Sequence, residues 1–160
     1  MDTYLAIASR REVREYTDAP IPDEIVHRIL DAGRLAGSSR NSQQWEFVVV
    51  NDKEALAAAV YAPGNVLGAA LVVAIAGSAF PFDKGRAAQN MMLAAWNDGV
   101  GSCPNGISDA EAAERIVGAP VGIVLTFGYP VNPRDPNSRG AEEWSANAKR
   151  KRYDEVVRSV

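Results

Sequence analysis

Two short runs, LVVAIA at positions 71–76 and VGIVLTF at 121–127, limit most tightly what this 160-residue chain can fold into. Each is almost wholly apolar, rich in β-branched residues and bounded by small or turn-forming residues, so each reads as a buried strand. A third strand is predicted over Trp45–Val50, where WEFVVV follows a polar stretch. Between the strands the apolar spacing lengthens to that of helices. In DEIVHRILDAGRLAG, which follows Pro20 and Pro22, residues Ile25, Val26, Ile29, Leu30, Gly33 and Ala36 recur on one helical face. Asn51 or Asp52 is placed to cap a short alanine-rich helix running to about Val60, with the Ala-Pro-Gly-Asn stretch at 62–65 read as its stop.

A longer helix is expected from Asp83 or Lys84 to Asp98, with Ala88, Met91, Met92 and Ala95 as its apolar stripe and Gly99 as its terminator. Ser108 and Glu111 have the spacing of a capping box ahead of EAAERIV, a helix that has to end before Pro120. The core order is thus helix, strand, helix, strand, helix, helix, strand, an α+β arrangement. After Gly128 the stretch GYPVNPRDPNSRGAEEW shows no period, and residues 129–160 are expected to form an extended C-terminal arm on a single domain spanning 1–160.

Composition narrows the class of partner. A net charge of −3 argues against a general electrostatic grip on nucleic acid or on an anionic membrane. The N-terminus lacks the basic start and long apolar centre of a secretory signal, and VLGAALVVAIAG at 66–77 falls short of the roughly 18 residues needed to cross a bilayer. The single cysteine, Cys103, allows no intramolecular disulfide, and no His/Cys cluster suggests zinc. A soluble protein in a reducing, cytoplasmic setting is expected.

Groups for cofactor-free catalysis are scarce. His27, the only histidine, lies within a helical pattern as a surface residue, and Cys103 reads as a buried structural thiol with no basic neighbour in sequence. There is no G-x-S-x-G elbow, no Walker-type loop and no strand-associated G-x-G-x-x-G. Three separated sets of donors stand out instead. Arg10, Arg11 and Arg14 cluster in SRREVR; GSSRNSQQW at 37–45 carries far more hydrogen-bonding side chains than a turn needs; and KRKR at 149–152 lies near the C-terminus. Taken singly, each set has an ordinary explanation in helix-end charges, turn bonds or a solvated tail. Together they point to one anionic, polar ligand.

These residues, in this order, resemble the nitroreductase family of FMN-dependent oxidoreductases. The resemblance is carried by SRREVREYTDAPI, GSSRNSQQWEFVVV, AAQNMMLAAWNDGVGSC and FGYP with the basic segment after it, and covers nearly the whole chain. It implies a nitroreductase-like mixed sheet flanked by helices and an interlocked homodimer, in which the C-terminal arm is exchanged and one FMN lies at each side of the interface. By position, Arg10, Arg11 and Arg14 would meet the phosphate and the pyrimidine edge of the flavin. Ser38, Ser39, Asn41 and Gln43 would approach from the partner. Arg150 and Arg152 would add phosphate contacts, and Pro104, Asn105 and Gly106 would present backbone groups to the isoalloxazine. Glu12 stands where the family often has a small hydroxyl residue, and the chain lacks the helical insertion that roofs the site in larger members.

The activity implied is ping-pong hydride transfer from NADH or NADPH, a transient reductant, to a nitroaromatic, quinone or similar small acceptor, with no catalytic side chain and no metal. Two alternatives stand beside it: a flavin-binding or sequestering protein without turnover, and a related flavin enzyme acting with oxygen or in dehalogenation.

Overall fold

The computed structural model describes all residues, 1–160, in two compact units: one of Arg11–Pro133, and one of Met1–Arg10 with Arg134–Val160. In chain order the helices are α1 Thr3–Ser9, α2 Asp23–Arg34, α3 Lys53–Ala57, α4 Pro63–Leu67, α5 Pro81–Asn97, α6 Ala110–Val117, α7 Ala141–Ala146 and α8 Tyr153–Val156. The strands are β1 Glu46–Val49, β2 Leu71–Ala76, β3 Gly101–Asn105 and β4 Val121–Gly128.

The larger unit is an α+β sheet in the order β1-β2-β4-β3, with every pairing between these strands antiparallel. Its one parallel contact is an isolated bridge between Glu12 and Ser102. Along β2, Val73 and Ile75 join Ile29, Met91, Leu125 and Phe127 in the core. Val72 and Ala74 pack on the opposite side of the sheet with Leu56, Val66 and Val124. Burial on both faces explains why LVVAIA shows no polar alternation. Different helices supply the two covers: α5 packs along α2 and contacts β3 and β4, while α6 contacts α3 and β4.

Four local expectations are corrected. Ala-Pro-Gly-Asn at 62–65 does not end structure: Pro63 opens α4, because a proline at the first helical position gives up an N–H that would have no helical partner anyway. The expected order sets two helices in succession after the second strand, whereas Gly101–Asn105 form a strand, β3, between them. Pro104 is tolerated there because β3 is an edge strand with one neighbour. The cap of α6 is Asp109, whose Oδ1 accepts from the Ala112 N–H at 2.9 Å, and not Ser108, whose own N–H donates to the Ala59 carbonyl. Finally α5 starts at Pro81, ahead of the expected Asp83 or Lys84, and ends with Gly99 at φ +76° as its spacing implied.

The smaller unit holds α1, which the sequence reading passed over. Asp2 caps it by accepting from the Tyr4 and Leu5 N–H groups at 2.9 and 3.4 Å, and α1 packs on α7. Residues after Arg134 are not uniformly extended: a short 3₁₀ turn at Pro136–Ser138 precedes α7 and α8. The turn is anchored by the buried Trp144, whose Nε1–H donates to the Pro136 carbonyl at 2.9 Å, while the Arg139 guanidinium lies over the indole at 5.2 Å. One aromatic side chain thus organises a stretch that has no apolar period to announce it.

Candidate functional site

The arginine-bearing segment leaves α1 at Arg10 and runs extended, not helical, along the β3 edge of the larger unit. The Val13 N–H donates to the Ser102 carbonyl at 3.0 Å, next to the Glu12–Ser102 bridge. Farther on, Thr17 N–H meets the Tyr129 carbonyl at 2.8 Å and Tyr16 bridges Pro130. Two glycines make this approach possible. A Cβ at Gly101 would sit 2.7 Å from the Val13 side chain, and one at Gly128 would sit 2.7 Å from the Tyr16 ring. Arg11 is half-buried and Arg14 exposed, and the backbone that carries both is held beside β3 by pairing rather than by helix geometry.

β3 itself carries Pro104 and Asn105 and leads into Gly106. Pro104 and Gly106 are exposed, and the Gly106 carbonyl accepts from the Tyr61 N–H at 3.1 Å. The Asn105 side chain points the other way and is 3 % exposed. Its Nδ2 donates to the Cys103 carbonyl at 3.0 Å and to Thr126 Oγ1 at 3.2 Å, and its Oδ1 accepts from Asn65 Nδ2 at 2.7 Å. Thr126 Oγ1 is also 3.1 Å from the Tyr16 hydroxyl, which donates to the Val13 carbonyl at 2.6 Å. Burial holds the Tyr16 phenol well above the usual tyrosine range, so this hydroxyl keeps its proton. Asn65, Thr126 and Tyr16 carry no sequence signal of their own, because a polar residue inside an apolar strand or short helix acquires meaning only from what it meets in space.

The donor-rich stretch forms a tight turn. Ser39–Asn41 are a 3₁₀ turn; Arg40 and Asn41 within it and Gln43 just after it take left-handed backbone angles, φ 53°, 55° and 49°. Such angles cost energy for non-glycine residues and persist only where the surroundings impose them. Here the Ser38 hydroxyl accepts from the Gln43 N–H at 2.9 Å, and the Ser39 N–H donates to the buried Asp83 carboxylate at 3.1 Å. The Ala79 N–H holds the Gln44 carbonyl at 2.7 Å, where Gly77 at φ +92° leaves no room for a Cβ. Ser39, Asn41 and Gln43 side chains are exposed on this strained frame. Asp83, which fastens the loop to α5, was not singled out from sequence, where it reads as an ordinary first-turn acid.

The remaining predicted contacts lie in the smaller unit. Arg10 ends α1, its N–H donating to the Ala6 carbonyl. Arg150 is exposed, with Nη1 3.4 Å from the Ala148 carbonyl. Arg152 already spends its fork on Asp154, at 3.1 and 2.7 Å. His27 is exposed on α2, and no group of His, Cys, Asp and Glu has the arrangement of a metal site.

Within the larger unit the two donor sets do not meet. The 38–43 loop enters β1 at one edge of the sheet, and Arg11, Arg14 and Pro104–Gly106 lie along β3 at the other. Three strand spacings of about 4.8 Å make this separation roughly 14 Å. The loop also rests on the first turn of α5, whereas β3 follows the last turn of this 17-residue helix, about 25 Å away along its axis.

Comparison with known proteins gives a consistent result. The model of the nitroreductase family matches residues 7–84 and 68–129. A protein of Archaeoglobus fulgidus, provisionally named NADH dehydrogenase/NAD(P)H nitroreductase, is 35% identical over 149 residues, covering 81% of this chain and 86% of its own. A crystal structure with that same provisional name from Parabacteroides distasonis is 26% identical with TM-score 0.73, covering 89% of this chain and 96% of the other. A structure from Desulfovibrio desulfuricans solved with FMN has TM-score 0.82 at 24% identity, covering 100% and 98% of the two chains, and shares the fold.

Proposed function

The chain belongs to the nitroreductase family, and from that premise we propose that it is an FMN-dependent NAD(P)H oxidoreductase that reduces nitroaromatic, quinone or similar small acceptors by ping-pong hydride transfer. The observation that supports the reading is that the segment bearing Arg11 and Arg14 is pinned beside Ser102 by the Glu12 bridge and the Val13 bond, with Gly101 and Gly128 leaving room for no side chain, on the strand that carries Pro104 and leads into Gly106.

The residues fit the group. A phosphate monoester calls for guanidinium forks, and a flat heterocycle with a polar edge calls for a rigid strand edge and a set of neutral donors. When bound, FMN supplies the acceptance and delivery of hydride. Arg11 and Arg14 supply positive charge that binds phosphate and favours an electron-rich ring at its pyrimidine edge. The Pro104–Gly106 backbone gives a fixed wall for the ring, and Ser38, Ser39, Asn41 and Gln43 bring neutral donors. Arg10, Arg150 and Arg152 add phosphate contacts, Arg150 with the freer side chain of the two in the tail. No side-chain acid or base is assigned.

The distance between the two donor sets within one chain supports a homodimer, in which the 38–43 loop of one subunit completes the site on the β3 edge of the other. Exposed Leu35, Phe80 and Phe82 beside that loop, with a cleft of about 520 Å³ against Gly37 and Arg86, offer the apolar surface such an interface buries. We assign residues 129–160 to arm exchange in this dimer, on a chain that otherwise forms one nitroreductase-like domain. The lone cysteine fits a cytoplasmic setting, and no helix is long and apolar enough to cross a membrane.

The test is spectroscopic. Purified protein incubated with FMN and desalted is expected to stay yellow, to bleach on anaerobic NADPH or NADH, and to recover its colour on adding a quinone. Protein that emerges colourless overturns the reading, and yellow protein that neither reductant bleaches leaves a flavin carrier in its place.

A further inference from the structure

We propose that the buried chain Asn65–Asn105–Thr126–Tyr16 is the positioning device of the flavin site, fixing the arginine segment relative to the Pro104–Gly106 wall. The inference rests on the functional reading above. Its physical basis is that the two walls of that site come from stretches of chain roughly ninety residues apart in sequence, meeting at the Glu12–Ser102 bridge and the Val13–Ser102 bond. Behind them lies a continuous set of hydrogen bonds. Tyr16 reaches back to the Val13 carbonyl at 2.6 Å, one residue from Arg14, and across to Thr126 Oγ1 at 3.1 Å. Thr126 Oγ1 accepts from Asn105 Nδ2 at 3.2 Å and has one proton to share between the Tyr16 oxygen and the Cys103 carbonyl, 3.2 Å away. Asn105, between Pro104 and Gly106, is then clamped from α4 by Asn65 at 2.7 Å.

Four polar side chains in an apolar layer carry a desolvation cost that hydrophobic residues of the same shape would avoid. Cohesion of the sheet does not require them, because β2, β3 and β4 are already joined by their ladders and both faces are filled. What hydrogen bonds add is direction. A phenol held at 2.6 Å admits one placement of Val13 and so of Arg14, and a doubly engaged carboxamide admits one path of the backbone through residue 105. None of the four need touch the ligand to set the angle between its phosphate grip and its ring wall.

The experiment uses the full chain and FMN as the probe. Variants Tyr16→Phe and Thr126→Val remove the shared hydroxyls while keeping shape, and Thr126→Ser restores the oxygen. Flavin dissociation constant, the visible circular dichroism of the bound flavin and the thermal midpoint of the flavin-free protein are read for each. Tyr16→Phe and Thr126→Val are expected to bind FMN about tenfold more weakly, the equivalent of one lost hydrogen bond in geometry. Both should alter the flavin dichroism, and Thr126→Ser should recover both signals. Flavin affinity within twofold of wild type and unchanged dichroism, whatever happens to the thermal midpoint, reduces the network to a structural role and overturns the proposal. If either hydroxyl variant fails to fold, Asn65→Ala, at the half-buried end of the chain, is read by the same criteria. Wild-type protein that takes up no FMN overturns the functional reading and this inference with it, whereas wild-type uptake with indifferent variants removes the inference alone.

Discussion

Tyr16 shows how much one side chain can acquire from its surroundings. In sequence it is a tyrosine in a charged N-terminal stretch; in the fold its ring fills the space that Gly128 leaves open, and its hydroxyl ends the buried network. Desolvation, the largest influence on it, raises its pKa above the ordinary 10.0, against a smaller opposing effect of the Thr126 hydrogen bond. Folding favours the protonated phenol, so its contribution is fully present below the ordinary tyrosine pKa and is lost as pH rises through the folded one. Urea unfolding from pH 8 to 11 is therefore expected to show stability falling above about pH 10. In Tyr16→Phe the fall should be shallower; an identical slope in both proteins would show that Tyr16 titrates normally.

Among the elements, the 38–43 loop and α5 act as a pair. Three left-handed residues in four positions do not hold themselves, and the Asp83 carboxylate on the Ser39 N–H is the tie that the rest of the turn leans on. Asp83→Ala is expected to lower unfolding free energy by roughly 1–2 kcal/mol, the usual cost of a charge-assisted bond removed from a buried backbone group. Amide exchange should quicken across 38–43 while β2 and β4 keep their protection. Uniform loosening of the sheet would mean that Asp83 supports the core rather than the loop. At this scale the sequence was readable where local pattern and packing agree. Both apolar strands, the stripe of α5 and its Gly99 stop emerged at their true places, because burial on a regular face leaves a period. β3 did not, since five residues including a proline show no period, and only pairing with β4 makes them a strand. The cap of α6 slipped by one residue because Ser108 and Asp109 are both good caps, and it is the Asp109 carboxylate that takes the Ala112 N–H.

For the whole molecule, the consequential fact is that β1 and β3 are opposite edges of one sheet. In the proposed homodimer a ligand that needs donors from both draws them from two chains, which leads to a complementation test. Arg14→Glu damages the β3-edge half of a site, and Ser39→Ala with Asn41→Ala damages the loop half. Each variant alone is expected to retain little FMN. Unfolded together and refolded, they should regain about a quarter of wild-type flavin content, because mixed dimers have one site built from intact halves. No recovery above the separate variants, in a mixture shown by light scattering to be dimeric, would place all the donors of a site on one chain.

The amino-acid sequence by itself determined part of the inventory: three of the four strands, the main helices between them, and that arginines and neutral donors are gathered in three places with no nucleophile to match. These are local properties, carried by spacing and side-chain chemistry. Tertiary structure alone decided which donors could meet. Strand order set the loop and the arginines at opposite edges, Gly101 and Gly128 let the arginine segment lie against β3, and Asn65, Asn105, Thr126 and Tyr16 became one network. Contacts between residues as far apart as Tyr16 and Thr126 leave no mark on either stretch of sequence, because each side chain's partner is supplied by the fold.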